Sequence, residues 1–133
     1  MQITTKPYPL PVSHRFINLL DKETQHRCWK AESGLVLHFR DPNYSAKEGG
    51  FHPVEIALNQ FHRLLYVTDF AYVGQEPFVE LAKDLDFDFV CRVFQQNGRD
   101  YPIEQGKQLF ALWQRNFIAY YRMGVYGISV EVM

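Results

Sequence analysis

A chain of 133 residues with 47% apolar and 22% charged side chains has the make-up of one folded domain, large enough to bury a core without disulfide or metal staples. Fourteen basic against fifteen acidic groups leave a formal charge of -1, which gives no global field for a polyanion and excludes nucleic acid as the default partner. Two cysteines, Cys28 and Cys91, are too few for a disulfide scaffold.

Residues 1–12 hold three prolines within PYPLP and read as an extended arm. Ser13 offers a helix cap, and Phe16, Ile17, Leu19 and Leu20 then fall on one side of a helix reaching about Trp29. From Gly34 the period changes to two: Leu35, Leu37 and Phe39 alternate with Val36, His38 and Arg40, and Val54, Ile56 and Leu58 repeat the pattern. Between these two strands Asp41-Pro42-Asn43 is turn chemistry, and Gly49-Gly50 supplies positions where a positive φ has no steric cost.

Leu64 to Val73, apolar on both faces except for Thr68 and Asp69, predicts a central strand. A helical turn over Phe78 to Leu81 and a strand from about Asp84 to Phe94 follow. Asn97-Gly98 marks a turn, and Pro102 suits the first position of a helix. Ile103, Leu109, Phe110, Trp113, Phe117, Tyr120 and Tyr121 then recur at helical spacing until Gly124. Tyr126, Ile128, Val130 and Val132 alternate as a closing strand. The order predicts a single α+β domain over residues 1–133: a mainly antiparallel sheet of about five strands, an N-terminal helix, and a long C-terminal helix followed by a last strand.

The loop from Asp41 to His52 looks at first like a calcium site, because Asp41, Asn43 and Ser45 occupy the first three ligand positions of the EF-hand spacing. The sixth position is Ala46 where glycine is needed and the twelfth is His52 where a bidentate glutamate is needed, so the match fails. The better reading is a connection that exposes recognition residues such as Tyr44 and Lys47. Asp84, Asp86 and Asp88 alternate with Leu85, Phe87 and Phe89. On a strand they share one face, ordinarily a solvated one, and could share a divalent ion only if a neighbouring strand supplied Asp69 or a histidine.

Asp69 lies in the middle of an apolar run, where an ionised carboxylate needs partners, and the expected ones are a loop amide or an arginine. The five histidines, at 14, 26, 38, 52 and 62, show no HExxH motif, although His38 and His52 could meet across the first hairpin. Ser13, Ser33, Ser45 and Ser129 lie outside any GxSxG elbow, and Cys91 reads as a partly buried thiol without a base. No catalytic set, metal site or cofactor is expected from these patterns.

The run FRDPNYSAKEGGFHPVEI, followed by LLYVTDFAYVG, DLDFDF and LFALWQRNFIAYY, resembles an uncharacterised bacterial family, domain of unknown function 2787, from about Leu10 to Val132. That family is in turn similar to the mitochondrial matrix glycoprotein family. The resemblance implies a curved antiparallel sheet flanked by terminal helices. Members of the mitochondrial family assemble into rings and bind many partners, among them the globular heads of a complement recognition subunit. They are strongly acidic and end on a coiled-coil helix, whereas this chain is nearly neutral and ends on a predicted strand.

Two functional readings follow. In the first the chain is a non-enzymatic protein-binding or assembly module, with a protein partner or self-association through a sheet face and the loop, and with Asp41, Tyr44, Lys47, His52, Asp69 and Tyr72 as binding residues. The aromatic content of 16% motivates it. In the second a concave sheet face cups a pocket lined by Asp69, Tyr66, Tyr72 and Trp113, as in a small enzyme or ligand-binding protein. Nucleic acid is a distant third, resting on Arg92, Arg99, Arg115 and Arg122 beside aromatic residues. The N-terminal residues lack a secretory pattern and no window holds roughly twenty apolar residues, so the expectation is a cytoplasmic protein off the membrane.

Overall fold

Alternating apolar residues become a seven-stranded antiparallel sheet in the computed structural model, which describes residues 3–25 and 33–133. The strands are β1 (Leu35–Arg40), β2 (Val54–Leu58), β3 (Leu64–Val73), β4 (Glu80–Asp88), β5 (Val93–Gln96), β6 (Arg99–Pro102) and β7 (Gly127–Val132). Their spatial order, β6-β5-β4-β3-β2-β1-β7, is a meander in which only β7 returns from a distance to pair with β1. β3 stands at the centre, as its two-sided apolar run predicts.

Two helices, α1 (His14–Thr24) and α2 (Lys107–Arg122), contribute to one core with the sheet. Ser13 caps α1 by accepting the Phe16 amide on its side chain. Phe16 is fully buried and meets Phe110, Trp113 and Phe117 of α2 edge to face. On the other side of that row Phe117 packs on Phe39 of β1 and Phe110 on Phe87 of β4. The helical stripe read from the sequence is therefore the side of α2 that seals the sheet, each buried ring contributing about 1.5–3 kcal/mol. α2 ends at Met123 and Gly124, the latter at φ +75°, where glycine has no steric cost.

The sheet has seven strands, not about five, because two local signals hid strands. The segment expected as one strand from Asp84 to Phe94 is β4 and β5 folded back on each other, with Arg92 at φ 59° in the turn between them. Glu80 and Leu81, expected in a helical turn, already pair with Val73 and Tyr72 in β4. Asn97-Gly98, both at positive φ, joins β5 to β6 as a tight hairpin. Pro102 consequently ends β6, and a 3-10 turn over Ile103–Gly106 precedes α2. Cys91 is exposed in the β4–β5 turn rather than partly buried. The expected extension of the first helix to Trp29, and Cys28, lie outside the described residues.

The N-terminal arm packs against the body of the domain. Leu10 is buried, Thr4 donates its amide to the His62 carbonyl, and Arg63 donates to the carbonyl of Pro7 while its guanidinium lies 4.3 Å from the centre of the Tyr8 ring. No described helix is long and apolar enough to cross a membrane.

Gln114 joins the arm to α2. It is 4% exposed, accepts the Ser13 amide at 2.9 Å and donates to the Pro11 carbonyl at 3.2 Å. Gln114→Ala leaves both backbone groups without that partner and should cost about 1–3 kcal/mol of stability, read as a lower midpoint in urea denaturation with an unchanged slope. An unchanged midpoint contradicts the assigned bonds.

Candidate functional site

Asp69 is in β3, opposite Val54 of β2 and Leu85 of β4, and its side chain points to the helix side of the sheet. A carboxylate there must be met by donors. Two meet it: Trp113 of α2 donates its indole Nε1–H to Oδ2 at 2.9 Å, and His52 Nδ1 lies 2.7 Å from Oδ1. The expected loop amide or arginine is not what holds Asp69; an imidazole and an indole do. An ionised carboxylate only accepts, so the neutral His52 ring carries its proton on Nδ1 and has Nε2 as its acceptor nitrogen.

The loop delivers His52. Asp41 takes the Asn43 amide on Oδ1 at 2.9 Å and the Phe51 amide on Oδ2 at 3.0 Å, clasping the two ends of the β1–β2 connection. Gly50, at φ +133°, passes so close to this clasp that a Cβ would stand 2.9 Å from Asp41 Oδ2 and from the Tyr44 Cα. Phe51 then packs on Tyr120 of α2 at 4.6 Å between ring centroids. Tyr44 stacks on Tyr72, accepts its amide at 3.0 Å on the hydroxyl, and sets its ring against the His52 imidazole at 5.5 Å.

Asp84 arrives by a bulge. Asp69 pairs with Leu85 and Phe70 with Lys83, so Asp84 is the extra residue on β4. Strict alternation would keep it with Asp86 and Asp88. The bulge instead lets Asp84 line the helix side, while Asp86 accepts the Thr68 hydroxyl at 2.6 Å and Asp88 accepts the Val90 and Cys91 amides. Asp84 Oδ2 lies 3.9 Å from His52 Nδ1. One ligand atom each from His52, Asp69 and Asp84 falls within a mutual 4.8 Å, the described set with metal-ligand chemistry.

These groups border a cavity of about 360 Å³ between the loop, the sheet and α2, walled by Phe51, Trp113, Phe117, Tyr120 and Tyr126, with Asn116 contributing an amide. Of the residues expected to bind, His52 and Asp69 line it, Tyr44 packs against His52, and Tyr72 is stacked on Tyr44. Asp41 shapes the loop, and Lys47 lies by a separate depression with Tyr72. Tyr66 is not part of it: its hydroxyl donates to Glu55 on the opposite face, where His38 also lies near Glu55 and Glu131. His38 and His52 therefore do not meet. Asn116 and Tyr126 carry no sequence signal of their own, since one looks like helix surface and the other like the start of a strand.

The Asp69 hydrogen bond raises the His52 pKa above its usual 6.5; burial opposes this, and the charges of Asp69 and Asp84 add to it. Burial, then the charge of Asp69, pushes the Tyr126 hydroxyl up, so it remains a neutral donor.

Residues 14–132 match the model of the family described as "Protein of unknown function (DUF2787)". Among solved structures, a hypothetical protein from the VSP-II pathogenicity island of Vibrio cholerae is 40% identical, with a TM-score of 0.84 over 96% of this chain and 99% of that one. A conserved hypothetical protein from pathogenicity island VPI-2 of Vibrio cholerae O1 biovar eltor is 41% identical, with a TM-score of 0.82 over 95% and 98%. The latter is described as sharing structural homology with the human P32 protein, the mitochondrial likeness expected from the sequence. No curated protein matches the chain.

A histidine whose folded pKa is raised stabilises the fold fully below its unfolded pKa of about 6.5, and that contribution is lost as pH rises through the folded value. In Asp69→Asn the His52 pKa should fall and this part of the pH dependence should vanish. Imidazole NMR titration, with urea midpoints measured below pH 6.5 and above the folded pKa that the titration gives, checks it; a His52 titration unmoved by the substitution contradicts the pair.

Proposed function

The chain belongs to the DUF2787 family, a grouping without an assigned activity, and we propose from its site that it binds a small ligand in the cavity over the centre of the sheet. His52 is the group that exchanges a proton or hydrogen bond with that ligand. The observation that carries this is the chain Trp113–Asp69–His52 on the cavity wall, where a carboxylate in the central strand, held at Oδ2 by the indole, orients the imidazole through Oδ1. That arrangement fixes a tautomer and a ring direction, as histidines in acid–base or ligand-recognition roles require. A volume of about 360 Å³ falls at the small end of ligand sites, and aromatic walls with few polar groups are their usual lining.

A protein-binding or assembly role for the loop Asp41 to His52 is the weaker reading. Its apolar residue Phe51 turns onto Tyr120 and its histidine turns onto Asp69, so the loop offers its chemistry to the cavity more than to a partner.

A fragment library of mixed charge, screened by backbone and indole N–H NMR, tests the proposal. Hits should perturb Gly50 to His52, Trp113 and Tyr126 together. Asn116→Trp, at an exposed position on the cavity lining, should abolish them by occupying the space. Hits that survive Asn116→Trp, or that perturb only other surfaces, would refute it.

A further inference from the structure

Resting on that reading, we infer that the ligand is a small organic cation, an alkylammonium or guanidinium compound. Among the described residues lining the cavity there are two carboxylates, Asp69 and Asp84, and no lysine or arginine. The single basic group is His52, and its Nδ1–H is already directed at Asp69. Asp41 adds a third negative charge close enough to act on Tyr126. An anion entering here meets two carboxylates offset only by His52, which is already paired with Asp69, whereas a cation finds Asp84 without a paired charge.

The two carboxylates are not equivalent. Asp69 is committed on both oxygens, to His52 and Trp113, and serves to hold the site. Asp84, brought in by the bulge and with a side chain 43% exposed, has His52 Nδ1 no nearer than 3.9 Å, beyond hydrogen-bond length. It is the acceptor left for an N–H donor of the ligand, and a charge-assisted bond of that kind is among the stronger polar contacts. The rings of Phe51, Trp113, Phe117, Tyr120 and Tyr126 wall the same cavity. Aromatic faces attract a desolvated cation, so the walls reinforce the preference set by the carboxylates.

A bare divalent ion fits the arrangement less well, although His52, Asp69 and Asp84 are mutually close. Binding it through Nδ1 and Oδ1, the two atoms that already face each other, would require removing the Nδ1 proton and breaking the His52–Asp69 bond. An organic cation leaves that bond intact and uses Asp84.

Four probes of matched size and one metal separate the cases: butylammonium, butylguanidinium, butanol, butyrate and Mg²⁺ alone, each titrated while the Trp113 indole and loop amides are followed. Both cations should bind at one site, about tenfold or more tighter than butanol, and Asp84→Asn should remove about that factor. Asp86→Asn, on the opposite face, should leave binding within about twofold. Butanol or butyrate binding as tightly as the cations, or Asp84→Asn without effect, overturns the cation assignment while the pocket stands. Mg²⁺ alone displacing the cations from these resonances also overturns it, in favour of a metal site. If no probe moves the cavity resonances, both the cation and the pocket fall.

Discussion

The arrangement of the whole site depends on one carboxylate that the central strand cannot leave alone. Asp69 has a side chain only 13% exposed, on the side of β3 that the helices cover. Little of it is left for water to solvate, so the chain brings donors to it. It does so from two directions, the indole of Trp113 from α2 and the imidazole of His52 from the loop before β2. One charge thus joins a strand, a helix and a loop, and the orientation of His52 is a consequence of satisfying it. The cavity is what remains between these three elements once the bonds are made.

Two backbone irregularities complete the site. The Asp41 clasp and Gly50 turn a long connection inward so that Phe51 and His52 reach α2 and β3. The β4 bulge takes Asp84 out of the row it would share with Asp86. The two sheet faces then separate by chemistry. The helix side carries the aromatic core and, at the cavity, Asp69 and Asp84. The other carries a polar row in which His38, Glu55, Tyr66, Thr68 and Asp86 bond to one another or to Glu131. Acidic groups thus occur on both faces, and on the helix side they border a cavity walled by five aromatic residues.

Periodicity made most of the fold legible. The central strand, the capped first helix, the aromatic stripe of α2 and the closing strand all follow from spacing alone, because burial enforces a period wherever one side of an element meets the core. The extra strands escaped because a tight turn with Arg92 at positive φ carries no glycine or asparagine signal, and because the Asn97-Gly98 hairpin joins strands of only four residues. At the site, Asp69 was conspicuous as a charge in an apolar run, and Trp113 was legible as its neighbour across the layers. The partnership with His52 was not, since it depends on how a thirteen-residue connection, 41–53, folds over the sheet. Asp84 was misread for a sharper reason: alternation assumes an unbroken ladder, and a single inserted residue reverses the face.

The most direct measurement is the protonation pattern of the His52 ring at a pH above its pKa, read from the ¹⁵N shifts of the imidazole. If Asp69 orients the ring as described, the neutral form carries its proton on Nδ1 and has Nε2 as the unprotonated nitrogen. A ring protonated on Nε2 instead would mean that Asp69 does not hold it, and the site built on that bond would not exist.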